Sequence, residues 1–109
     1  MKPEITYKDF AKLDMIIGQI IEIKEIEGAD KLWKLKVNIG NEERIVCAGL
    51  KEHYSKEELQ DKKVILLSNL APRKIKGIES QGMILASVSE DHKQVKIIEP
   101  NGEIGWKIS

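Results

Sequence analysis

Trp33-Lys34-Leu35-Lys36-Val37-Asn38-Ile39 alternates apolar and polar positions more cleanly than any other stretch of the chain. A period of two puts the apolar side chains on one face of a strand and leaves the lysines on a wet face. Gly40-Asn41 then supplies a turn and Arg44 to Ala48 returns, which predicts a hairpin. Upstream, Met15 to Ile26 holds six isoleucines, and β-branched residues favour strand over helix. Gly18 inside that run predicts a bend or bulge, and Gly28 ends it. Val64 to Leu67, Met83 to Val88 and Val95 to Ile98 are three further apolar runs of strand length. Helix signals are few. Thr6-Tyr7-Lys8-Asp9 reads as a capping box that turns Phe10 and Leu13 toward a core. Ser55-Lys56-Glu57-Glu58 reads as a second, opening a short helix that ends near Gln60. Many short strands with one or two helical turns predict a small all-β barrel or sandwich.

Composition narrows the functional classes. The 109 residues suit one domain, and no linker or repeat divides them. No apolar run approaches the roughly 18 residues of a membrane span. Met1-Lys2-Pro3-Glu4 opens without the apolar core of a signal peptide. The single cysteine, Cys47, excludes an internal disulfide and a cysteine-built zinc site. His53 and His92 leave little for a metal cluster, so neither metal nor cofactor is expected. These features predict a cytoplasmic protein.

Charge changes the picture more. Eighteen Lys and Arg balance eighteen Asp and Glu. Yet residues 62–78 carry Lys62, Lys63, Arg73, Lys74 and Lys76 with no acid, and residues 31–40 carry Lys31, Lys34 and Lys36 with none. The remaining segments are net acidic. If the two positive segments lie side by side, they form a basic face that attracts polyanions by releasing condensed counterions. The neutral total weakens indiscriminate binding. Within Asn69 to Met83, Pro72, Gly77 and Gly82 mark a loop between strands. Arg73 can pair with phosphate or stack on a base. Asn69 and Ser80 can read base edges or sugar hydroxyls, and Met83 can pack on an unstacked base.

At this loop the chain resembles a known family. The matching stretches are Ile5 to Asp14, Gly28-Ala29-Asp30-Lys31-Leu32, Asn69-Leu70-Ala71-Pro72-Arg73-Lys74 and Glu79 to Ala86. In order and spacing they are similar to the tRNA-binding domain of methionyl-tRNA synthetases and of free-standing tRNA-binding proteins. The resemblance implies an oligonucleotide-binding (OB) barrel of five strands in Greek-key order, with a short helix between the third and fourth. It also implies a single domain over 1–109, its barrel about 14–88, with a C-terminal extension about 89–109 that helps form a homodimer. It implies structure-specific tRNA binding without catalysis, in one of two settings that the sequence does not separate: the auxiliary beta subunit of a methionyl-tRNA synthetase, which raises tRNA affinity and has the catalytic subunit as a further partner, or a free-standing tRNA binder. By position, Lys31, Asn69, Arg73, Lys74, Ser80 and Met83 match the tRNA-contacting motif. Lys34, Lys36 and Lys76 join them from charge and wet-face position.

Other readings remain beside this one. Relatives of the CsaA type, dimeric export-related chaperones that bind peptides, resemble the chain in fold and around Asp9 to Asp14. They depart at Ala29-Asp30-Lys31-Leu32 and Ser80-Gln81-Gly82-Met83. An enzyme would need a nucleophile, and Cys47 with His53 is the one pair to weigh. A small half-apolar residue buried in a strand is the plainer role for Cys47, and His53 and His92 read as connector residues. Trp33 falls in phase with Leu35 and Val37, on the core side rather than the nucleic-acid side. Trp106, near the end, suits either a subunit contact or packing on the barrel.

Overall fold

Alternation becomes the first hairpin. In the computed structural model, which describes residues 1–109, Met15–Ile26 forms β1, Ala29–Asn38 forms β2 and Glu43–Ala48 forms β3. Trp33, Leu35, Val37 and Ile39 are all buried, against Ile20, Ile23, Val46, Val64 and Leu66. Removing each such side chain from water contributes about 1.5–3 kcal/mol. Lys34 and Lys36 stand on the opposite, wetter face, across from Cys47 and Ile45 of β3. Trp33 lies in the core as its phase requires, and its indole N–H donates to the Tyr54 carbonyl at 2.9 Å.

The long strand β1 serves both halves of the barrel. Met15 to Gln19 pairs with β4 (Lys63–Leu67), whereas Gln19 to Ile26 pairs with β2. The register slips between Ile20 and Glu22, and such a slip bends and twists a strand. The irregularity is therefore not at Gly18, where the sequence predicts it. Gly18 instead admits close packing: a Cβ there would stand 2.6 Å from Val37 Cγ1. The main sheet runs β3-β2-β1-β4-β7, with β7 at Met83–Ile84, and β10 (Lys107–Ile108) pairs with the start of β1.

Closure comes from the segment just before β7. The Gln81 amide donates to the Ile45 carbonyl at 2.8 Å. The Ile45 amide donates to Gln81 Oε1 at 3.0 Å, and the Cys47 amide to Ser80 Oγ at 3.0 Å. The open edge of β3 is thus covered partly by side chains. The result is an all-β, antiparallel barrel of OB type. Helix α1 (Tyr7–Phe10) precedes it, and α2 (Lys56–Leu59) lies between β3 and β4. Both capping boxes form. Ser55 Oγ accepts from the Glu58 amide at 3.2 Å, while Glu58 accepts from the Ser55 amide at 2.8 Å. Leu59 of α2 is fully buried in the core cluster.

Three expectations need correction. Helix α1 buries no residue: Phe10 is half-buried and Leu13 exposed, because the helix lies outside the barrel. Met83 to Val88 is two strands, not one. β7 pairs with β4, whereas β8 (Ala86–Val88) turns to β9 (Val95–Ile97), and Leu85 between them donates to the Ile65 carbonyl at 3.0 Å. The 69–83 loop contains a hairpin of its own, β5 (Arg73–Ile75) and β6 (Ile78–Ser80). Lys76 and Gly77 turn it with φ of 51° and 81°, the two positive values that a tight hairpin turn requires.

Candidate nucleic-acid interface

The hairpin carries the densest free positive charge. Arg73 and Lys74 lie on β5 and Lys76 at its tip, all exposed. None of the three makes an ion pair or a side-chain hydrogen bond within the chain. Glu79 sits opposite Lys74. At the base of the hairpin a shallow cleft of about 100 Å³ opens between Arg73, Ser80, Cys47 and the apolar Leu70, Ile75 and Met83. Met83 is 46% exposed. An apolar floor beside unpaired cations is what an unstacked base and its phosphate require.

The two positive segments meet only in part. Lys34 shares a second cleft with Ile78, Glu79 and Gln81, so the wet face of β2 adjoins the hairpin. Lys36 also lies on that face but pairs with Glu22 at 3.5 Å. Lys24, which the sequence reading missed, stands opposite Lys34 on β1 and holds the same Glu22 at 2.9 Å. These contacts, that of Lys24 first, keep the Glu22 carboxyl below its ordinary value of 4.5. Its charge therefore persists and partly offsets Lys36. Lys31 is exposed at the opening of β2, where its carbonyl accepts from the Lys51 amide at 3.3 Å. Lys62 and Lys63, which swell the positive count of residues 62–78, turn elsewhere. Lys62 pairs with Glu99 at 3.2 Å, and Lys63 donates to the Gly102 carbonyl at 2.7 Å.

Two motif residues use their polar atoms inside the protein. Asn69 Oδ1 accepts from the Asp14 amide at 2.8 Å, and its Nδ2 donates to the Lys12 carbonyl at 2.7 Å. Ser80 is 6% exposed, with its hydroxyl oxygen holding the Cys47 amide. Cys47 itself is half-buried on the outer face rather than in the core, because its neighbour Val46 takes the inward position. Burial pushes its thiol above the ordinary 9.0, and the nearby Lys34 opposes this without cancelling it. A thiol so shifted is a poor nucleophile near neutrality. No helix is long and apolar enough to cross a membrane.

Solved proteins share this fold. Residues 15–106 match the family model described as "Putative tRNA binding domain". The chain is 47% identical over 100 residues to the methionine–tRNA ligase of Pyrococcus horikoshii. It is 44% identical over 105 residues to that of Caldanaerobacter subterraneus subsp. tengcongensis. Those matches cover 92% and 96% of this chain but span only 14% and 16% of the two ligases. A solved MetRS-related protein from Pyrococcus horikoshii superposes with a TM-score of 0.92 at 35% identity, covering 99% of this chain and 100% of that one. The CsaA chaperone of Picrophilus torridus superposes at 0.88 with 34% identity, covering 97% and 100%. Matched over most of its length by the family model and end to end by a solved relative, the chain belongs to the family of tRNA-binding domains.

Proposed function

We propose that this chain is a non-catalytic, structure-specific tRNA-binding module of the cytoplasm that raises tRNA affinity as the auxiliary beta subunit of a methionyl-tRNA synthetase. The observation that carries the reading is the group of exposed, unpaired cations on the β5–β6 hairpin beside the half-exposed Met83. Arg73, Lys74, Lys76 and Lys34 hold phosphates and supply most of the affinity. Lys31 and Lys36 extend the track along β2. Met83 meets a base, and Asn69 and Ser80 support the loop that presents it. The domain takes in residues 1–109. Its tail, about 89–109, joins a homodimer in which the 57%-exposed Trp106 is an anchor.

The test is fluorescence anisotropy with labelled bulk tRNA over a range of salt, with duplex DNA and unfolded polypeptide as competitors. About four neutralised phosphates predict a log–log salt slope of about −3 to −4. Met83→Ala weakens binding without changing that slope, whereas Arg73→Ala lowers the slope by about one. A flat salt response rules the reading out. The likeness to a CsaA chaperone over its whole length supports a second reading, a peptide-binding chaperone. Saturable polypeptide binding that tRNA does not displace would favour it.

A further inference from the structure

The β5–β6 hairpin is a sheet by itself, outside the main one. Two strands alone are marginally stable in water. These two also crowd Arg73, Lys74 and Lys76 together, with Glu79 the one acid among them. The pose of the hairpin on the barrel therefore depends on how its ends are held. One side chain reaches both. Arg44 Nη1 donates to the Ser68 carbonyl at 2.9 Å and to the Gln81 carbonyl at 3.3 Å, the two residues that bracket the excursion. Its Nε and Nη2 face Glu42 Oε1 at 2.8 and 2.7 Å. The Glu42 carbonyl in turn accepts from the Ile39 amide at 3.0 Å, which roots the contact in the β2–β3 turn. The other side-chain holds act on one end each: Asn69 on the first, Ser80 and Gln81 on the second, beyond the Leu67–Met83 backbone pairing that closes the excursion at its base. A planar fork with donors on two sides makes this bridge possible. With those donors spent and its charge offset by Glu42, Arg44 is not free to meet a phosphate.

We infer that Arg44 is a positioning residue: it staples the two ends of the basic hairpin to the barrel and presets Arg73, Lys74 and Lys76 for RNA without touching it. The consequence for RNA rests on the tRNA-binding reading above; the staple itself does not. A pinned hairpin loses little freedom on binding, whereas an unpinned one must be ordered by its ligand. Loss of the staple therefore weakens binding but leaves the number of neutralised phosphates, and so the salt slope, unchanged.

The experiment compares the full chain with Arg44→Gln and Arg44→Lys. Circular dichroism checks the fold, amide hydrogen exchange reads residues 73–80, and bulk tRNA is titrated at several salt concentrations. Expected are folded variants, exchange in 73–80 faster by about tenfold, and tRNA affinity lower by about tenfold at the parent slope. Lys keeps the charge, but its single nitrogen cannot reproduce the planar fork in which Nη1 faces the two carbonyls while Nε and Nη2 face Glu42. Parental affinity in Arg44→Lys, a lowered salt slope, or unchanged exchange in 73–80 each overturns the inference. If Arg44→Gln fails to fold, Arg44→Lys decides. If the parent binds no tRNA, the functional reading fails, and the exchange of 73–80 still decides the staple.

Discussion

Glu79 faces Lys74 across the β5–β6 hairpin, yet the two make no ion pair. On the proposed reading, a carboxylate at that spot repels phosphate close to Lys74 and so weakens the hold on any polyanion. Glu79→Gln should strengthen binding to tRNA and to duplex DNA alike, each by about two- to fivefold, with the larger relative gain for DNA. Competition anisotropy reads both affinities; an unchanged affinity for DNA would refute this role. The cations of this hairpin were legible in the sequence because Lys and Arg on a Pro- and Gly-bounded segment stay in water. The roles of its neighbours were not. Asn69 bonds Asp14 from 55 residues away, and Ser80 bonds Cys47 from 33 away. Arg44 reaches Ser68 and Gln81 over 24 and 37 residues. No local pattern records such partners, so residue type and position in the family motif point to RNA contacts for the first two, and nothing in the sequence singles out the third.

Helix α2 shows what local chemistry can determine. Ser55 and Glu58 are three residues apart, and the capping box they predict is the one that forms. Ser55→Ala should cost about 1 kcal/mol, which lowers the midpoint of thermal unfolding by about 4–8 °C for a domain this size. The box also carries a pH dependence. Hydrogen bonds from the Ser55 backbone, then from its side chain, lower the Glu58 carboxyl below 4.5. The folded value lies under the unfolded one, so this stabilisation is complete above about pH 4.5 and fades as pH falls through the folded value. Acid titration of thermal stability should show that loss in the parent and not in Glu58→Gln. Strands whose partners are sequence neighbours were legible in the same way, as in β2 and β3. Met83 to Val88 was misread because it changes partner at Leu85. The β5–β6 hairpin was missed because each strand has three residues, too few to display a period, and Lys76-Gly77 is not the usual Asn-Gly turn.

At the scale of the molecule, a neutral chain shows one local concentration of unpaired cations, with Trp106, Tyr7 and Ile5 among its exposed large apolar side chains. Sedimentation velocity should find a dimer at micromolar concentration, and Trp106→Ser should shift it toward monomer; a monomeric parent would remove the proposed subunit contact. Such a change at one residue acts twice in an isologous dimer, once on each side of the contact. By itself the sequence determined the all-β class, the first hairpin, both capping boxes and the basic segment, because periodicity, capping and charge act over a few neighbouring residues. Only the tertiary structure decided which cations stay free, where β1 bends and what holds the basic hairpin in place. Those outcomes depend on groups tens of residues apart, which meet only when β3 closes onto Ser80 and Gln81 and draws Arg44 beneath the hairpin.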